Sequence, residues 1–173
     1  GIFRLVILNF GKTIYEKFKS EDCPNKDIVL KMKELSDKYT KKLFFLKGKF
    51  EEETLWTLYA LQEGVTSIST KEYKRGNGSI RFIESFFNLK ENSIADNISK
   101  MTLLSGGTKI IFDGKYSIMK KSTGDEQFKV MTFNNNGNIE DKPDSKYVCY
   151  TPYYFPGTMY SVKLLFNNDV NFL

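Results

Sequence analysis

Lys74-Arg75-Gly76-Asn77-Gly78-Ser79-Ile80-Arg81-Phe82-Ile83-Glu84-Ser85-Phe86-Phe87 marks the point where the periodicity of the chain changes. Two glycines one residue apart follow two basic residues. Apolar residues then recur at Ile80, Ile83 and Phe87, the spacing of an amphipathic helix that leaves a glycine loop. Such a junction can hold an anion, because glycine admits a phosphate close to the backbone and the first N–H groups of a helix point outward with partial positive charge. Lys74 and Arg75 add full charges at the same place. A simple glycine turn before a helix is the plainer reading of the same residues.

Upstream of this junction, Ile2 to Leu8 is apolar and β-branched almost throughout, the pattern of a strand covered on both faces. It ends at Asn9-Phe10-Gly11, where an amide side chain at a strand end can either face a cleft or bond its own turn. Ile28, Met32, Leu35, Tyr39 and Leu43 then recur at helical spacing after Pro24. Glu51-Glu52-Glu53 suits a helix N-terminus and opens a segment dense in large apolar residues, Leu55, Trp56, Leu58, Tyr59 and Leu61. Gly64 is a C-cap candidate. The hydroxyl-rich connector after it has little to bury, so residues 64–75 read as a lid, with 68–75 expected to be less ordered than the helices beside it.

Downstream the period becomes two. Short strands are expected at Met101 to Ser105, Lys109 to Asp113, Tyr116 to Met119, Phe128 to Phe133, Tyr147 to Tyr150 and Met159 to Phe166, broken at Gly106-Gly107, Asp113-Gly114, Thr123-Gly124, Asn134 to Asn138 and Pro156-Gly157. Residues 122–146 are polar enough for a loop or hairpin insertion. A strand, then helices, then an antiparallel run predicts an α+β fold: a two-layer sandwich with a mixed, mostly antiparallel sheet and helices on one face. The expected core includes Val6, Leu55, Leu58, Leu61, Ile83, Phe86, Leu103, Ile111 and Leu164.

At 173 residues and 40% apolar content the chain supports one domain, 1–173. It begins inside a strand pattern, so a fragment of a longer protein is expected, with Gly1 readable as a cloning remnant. The balance of 26 basic against 21 acidic residues is a mild bias toward anionic ligands, and the scattered lysines do not favour nucleic acid. The chain has no histidine, which excludes Ser-His-Asp and Cys-His catalysis and any His-bearing metal site on it. Cys23 and Cys149 lie far apart with no CxxC pair, which fits free thiols in a cytoplasmic protein. No run of about 18 apolar residues exists, so no membrane span is expected.

The order of these parts resembles the ATP-binding domain of the GHKL, or histidine-kinase-like, ATPase superfamily, which includes DNA gyrase, the ninety-kilodalton heat-shock chaperones, sensor histidine kinases and mismatch-repair ATPases. In that family a strand ends in Asp-x-Gly-x-Gly-Ile, a lid follows, Gly-x-Gly opens a helix, and a late strand begins with Gly-Thr. The counterparts here are Asn9-Phe10-Gly11-Lys12-Thr13-Ile14, then Gln62-Glu63-Gly64-Val65-Thr66-Ser67, then Arg75-Gly76-Asn77-Gly78, then Pro156-Gly157-Thr158.

The resemblance implies ATP and Mg2+ as ligands. It assigns Asn9 and Thr158 to the adenine, Gly11 to space for the base, and Lys74, Arg75, Gly76, Asn77 and Gly78 to the phosphates. Asn9 stands where the family has aspartate, and its amide oxygen can still accept a hydrogen bond. Thr13 stands where the family has its second glycine. The helix that carries the family's magnesium-binding asparagine and general-base glutamate lies before the first box, ahead of Gly1, so no catalytic residue is assigned.

The resulting expectation is a domain that couples nucleotide binding to hydrolysis or to a conformational switch. The alternative is a pseudo-ATPase interaction module, binding a protein partner or forming a homodimer, with Tyr150, Tyr153, Tyr154, Phe155 and Tyr160 as its aromatic surface.

Overall fold

The computed structural model describes residues 1–40, 50–68, 76–91, 98–124 and 126–166. The elements run β1 (Ile2–Phe10), α1 (Ile14–Lys19), α2 (Lys26–Thr40), α3 (Glu52–Tyr59), α4 (Gly78–Glu91), β2 (Lys100–Phe112), β3 (Met119–Thr123), β4 (Glu126–Val130) and β5 (Val148–Leu165). The fold is α+β, with an open sheet ordered β1-β5-β2, antiparallel at both junctions, and a separate β3-β4 hairpin.

Directly opposed residues of an antiparallel pair project to the same face. Val162 is opposed by Leu5 and Met101, and Tyr160 by Ile7 and Leu103. Of these, Val162, Met101 and Leu103 are buried, and α1, α3 and α4 pack on β2 and β5. Arg4, Lys163 and Lys100 form one row on the opposite, open face.

The core joins α3 to this face through Leu55, Trp56 and Leu58, with Leu61 of the turn after α3, Ile80, Ile83 and Phe86 of α4 and Leu164 of β5. Trp56 donates its indole N–H to the Ser36 hydroxyl at 3.0 Å, which ties α3 to α2 without leaving a buried donor unpaired. No helix among the described residues is long and apolar enough to cross a membrane.

The structure corrects the reading of β1. It is an edge strand, and every residue from Ile2 to Phe10 is exposed, Val6 at 54%. The helices settle on β2 and β5, so an apolar run that reads as doubly covered has neither face covered. Ile111 is half-buried rather than buried.

Two expected strand breaks are internal features of longer strands. Gly106-Gly107 is a bulge within β2, and Pro156-Gly157 lies inside β5. The 122–146 stretch is not wholly polar surface. It contributes Val130, Met131 and Phe133 to the buried interior, and Asp144 donates its N–H to the Phe133 carbonyl at 2.8 Å.

Candidate functional site

The end of the β1–β5 ladder brings three of the sequence-identified residues together. Asn9 stands opposite Thr158, and Gly11 donates its N–H to the Pro156 carbonyl at 3.3 Å. Asn9 continues the alternation of Phe3, Leu5 and Ile7, so it shares the helix-bearing face with Thr158 and Tyr160. Gly157 has φ of +134°, and a Cβ there would lie 2.0 Å from the Asn9 carbonyl oxygen. Only glycine permits this close approach of the two strands. Gly11 is open: a Cβ added to it would meet nothing within 4 Å.

Beside Thr158, opposite it on β2, lies Ser105, a fully buried residue that the sequence reading did not single out. Its hydroxyl accepts the Ile14 N–H at 2.9 Å, donates to the Gly157 carbonyl at 3.0 Å and meets the Thr158 hydroxyl at 3.1 Å. A serine hydroxyl has one proton. With that proton on Gly157, Thr158 must donate in the Ser105–Thr158 contact, which leaves the Thr158 oxygen as an acceptor. The pair therefore offers Asn9, with an amide donor and an amide acceptor, beside an acceptor at Thr158. An adenine edge, with its amino donor and ring-nitrogen acceptor, is complementary to this set.

Thr13 is the buried N-cap of α1. Its hydroxyl accepts the Glu16 N–H at 3.1 Å, and its own N–H goes to the Glu16 carboxylate at 2.7 Å, the reciprocal capping box. The Thr13 N–H holds the Glu16 carboxyl below its usual range, and the Tyr154 hydroxyl, donating at 2.8 Å, acts in the same direction. Beyond Gly11 an open groove of about 580 Å3 is lined by Lys12, Tyr15, Glu16, Lys19, Ser20, Tyr154 and Pro156. It carries both signs of charge.

The glycine pair at the start of α4 divides its roles. Gly76 has φ of +96°, and a Cβ there would sit 2.7 Å from the backbone of Gly64 and Val65, so this glycine serves close packing against the start of the 64–75 segment. Asn77 accepts the Gly64 N–H on its side-chain oxygen at 3.1 Å, and its carbonyl takes the first helical bond from Arg81 N–H at 3.0 Å. Gly78 is open, with nothing within 4 Å of an added Cβ. The N–H groups of Gly78, Ser79 and Ile80 precede that first helical bond, which is the arrangement an anion uses.

Lys74 and Arg75, and with them 69–75 of the expected lid, lie outside the described residues. Of the remainder, the Thr66 carbonyl accepts from the Asn25 side-chain amide at 3.0 Å, and the Ser67 carbonyl accepts from the Cys23 thiol at 3.6 Å.

Tyr160 links the two ends of the candidate site. It lies two residues from Thr158 on the same face, and Phe82 of α4 meets its ring edge-on at 5.0 Å between centroids. Burial pushes the Tyr160 phenol up, and a hydrogen bond with Ser79, the residue after Gly78, opposes that shift. The first turn of α4 and the Asn9–Thr158 pair therefore lie over one face of the sheet.

A second feature is Glu53, which the sequence places at a helix N-terminus and whose role at the sheet it does not show. Its carboxylate accepts the Gly107 N–H at 2.9 Å and fills the space beside Gly106 at the β2 bulge. Burial raises its pKa, Gly107 opposes this, and the charges of Glu16 and Glu51 add to the rise. This is a structural carboxylate that satisfies an unpaired bulge amide. Among the described residues no group of three or more His, Cys, Asp or Glu side chains could hold a metal ion. Comparison of the chain with protein-family models, with curated proteins and with solved structures finds no match.

Proposed function

We propose that this chain is the nucleotide-holding part of an ATP-binding domain of the histidine-kinase-like type. The observation that carries the reading is the convergence on one sheet face of Asn9 and Thr158, as a polar pair complementary to an adenine edge, with the open first turn of α4 at Gly78. The first and last boxes meet at Asn9 and Thr158, the second and third at Gly64 and Asn77, and Tyr160, two residues from Thr158, reaches Ser79.

The residues present fit the organic ligand. Asn9 and Thr158 would pair with the base, the open position at Gly11 leaves room beside it, and the Gly78 to Ile80 N–H groups would face a phosphate. Lys74 and Arg75 carry the charge that would accompany them. Among the described residues no group of three or more His, Cys, Asp or Glu could hold a metal ion, so no residue is assigned to magnesium and no step to the metal.

A melting experiment tests the reading. A ligand that binds only the folded state at a hundred times its Kd stabilises it by about 2.7 kcal/mol. ATP and ADP are expected to raise the Tm and GTP to do so less. Gly78→Val, which places a branched side chain where the phosphate would sit, is expected to abolish the shift. No shift at millimolar adenine nucleotide with magnesium present would overturn the reading.

A protein-interaction module is the second reading, favoured by the exposure of Tyr150, Tyr153 and Tyr154 on the N-terminal half of β5, Tyr153 at 83%. Tyr160 does not belong to that surface, since it lies half-buried against α4.

A further inference from the structure

We infer that β1 is a self-pairing edge, through which two copies of this chain join their sheets antiparallel about Val6. Gly1 and Phe166 exchange both of their backbone hydrogen bonds, and Gly11 donates to Pro156 at the other end. Inward-bonded and outward-facing residues alternate along an antiparallel edge strand. The odd residues of β1 therefore bond β5, and the N–H and C=O groups of Ile2, Arg4, Val6, Leu8 and Phe10 face away from the sheet. This edge has no proline, no bulge and one charge, so it lacks the devices that keep exposed strands apart.

The side chains set what can pair there. Ile2, Val6, Leu8 and Phe10 lie on the open face and Phe3, Leu5 and Ile7 on the helix-bearing face, all between 36% and 69% exposed. A helix laid on either face would leave the edge N–H and C=O groups unpaired, whereas a strand pairs them. The side chains of such a strand lie beside those of β1 on both faces, and β1, apolar on both, is matched to a second copy of itself.

Paired about a two-fold axis at Val6, the two strands overlap along their whole length. Ile2 meets Phe10 of the second copy, Arg4 meets Leu8, and Val6 meets Val6. Every outward-facing residue then meets another outward-facing residue, which is the condition for a full hydrogen-bonded ladder. The single charge of the strand faces a leucine. The two Arg4 residues stand about 13 Å apart along the strand direction, at 3.3 Å per residue, which separates the cationic rows containing Lys163 and Lys100. The apolar side chains and edge backbone would bury on the order of 1,000 Å2 over both copies, the lower bound for a specific interface, so a Kd in the micromolar range is expected.

The test is sedimentation equilibrium on the purified chain, on V6K, on V6E and on an equimolar mixture of the two variants. Val6 is exposed and bonds no neighbour through its side chain, so both variants should fold, which far-UV circular dichroism checks. The wild type is expected to dimerise, and each variant, placing like charges directly opposite one another, to weaken the dimer by about tenfold or more. The mixture should recover it, because lysine then faces glutamate. A monomeric wild type at about a hundred times the expected Kd, unchanged dimerisation of either variant alone, growth beyond two copies, or a mixture no tighter than its components would each overturn the proposal. The nucleotide reading does not depend on this outcome.

Discussion

Asn9 and Thr158 stand directly opposite one another at the end of the β1–β5 ladder, at a point where only a glycine neighbour, Gly157, lets the strands close. Asn9 is exposed. Asn9→Ala is therefore expected to change folding stability by no more than about 0.5 kcal/mol. If its amide meets a base, the same substitution should weaken nucleotide binding by about three- to tenfold, the value of one hydrogen bond. Paired melting and calorimetric titration separate the two effects.

Ser105→Ala should act in the opposite sense. It leaves the Ile14 N–H without its acceptor and frees Thr158 to rotate. The expected loss is about 1–3 kcal/mol of stability, the cost of an orphaned polar group in a buried site. Chemical denaturation measures this, and a neutral Ser105→Ala would remove the claim that the hydroxyl organises this corner.

The two glycines of the α4 loop should respond differently to alanine. Gly76→Ala forces a Cβ against the Gly64 and Val65 backbone at positive φ and is expected to cost about 1–3 kcal/mol or more. Gly78→Ala meets no atom. It should be neutral or stabilising by about 0.4–1 kcal/mol through the unfolded chain. Equal destabilisation by both would contradict the division of roles.

Asp144 predicts a pH dependence remote from the site. The Lys146 N–H, then the Lys115 ammonium at 3.0 Å, hold its carboxyl at about 2, below the ordinary 3.8. A depressed folded value stabilises the fold above the unfolded pKa, and the contribution is lost as pH falls through the folded one. The stability difference between wild type and Asp144→Asn should be constant above pH 3.8 and shrink as the pH drops toward about 2. Urea melts at stepped pH would show it. A difference independent of pH would contradict the linkage.

The helical half of the fold was legible because α2, α3 and α4 carry their apolar residues at three- and four-residue steps, and that spacing has one meaning. The strand half was legible in type except at Tyr116 to Met119, where the chain bends before β3 begins at Met119, and it was not legible in extent. Gly106-Gly107 reads as a break, yet the Glu53 carboxylate, supplied from far upstream, satisfies a bulge amide and lets β2 continue. For β1, hydrophobicity alone does not say what covers a strand, and its edge position depends on where the helices dock. Asn9, Gly78 and Thr158 entered the candidate site through the order of short boxes. Ser105 could not, because its role comes from partners at Ile14 and Gly157 that no local pattern links.

Asn9, Thr158 and the first turn of α4 are proposed to face one nucleotide. Amide chemical-shift mapping of the nitrogen-15-labelled chain during titration with ADP tests it most directly. Saturable shifts are expected at the Asn9 side-chain amide and at the backbone of Gly11, Gly78, Ser79 and Thr158, with the Asn134 to Lys146 loop unmoved. No saturable shift, or shifts confined to residues away from these two elements, would contradict it.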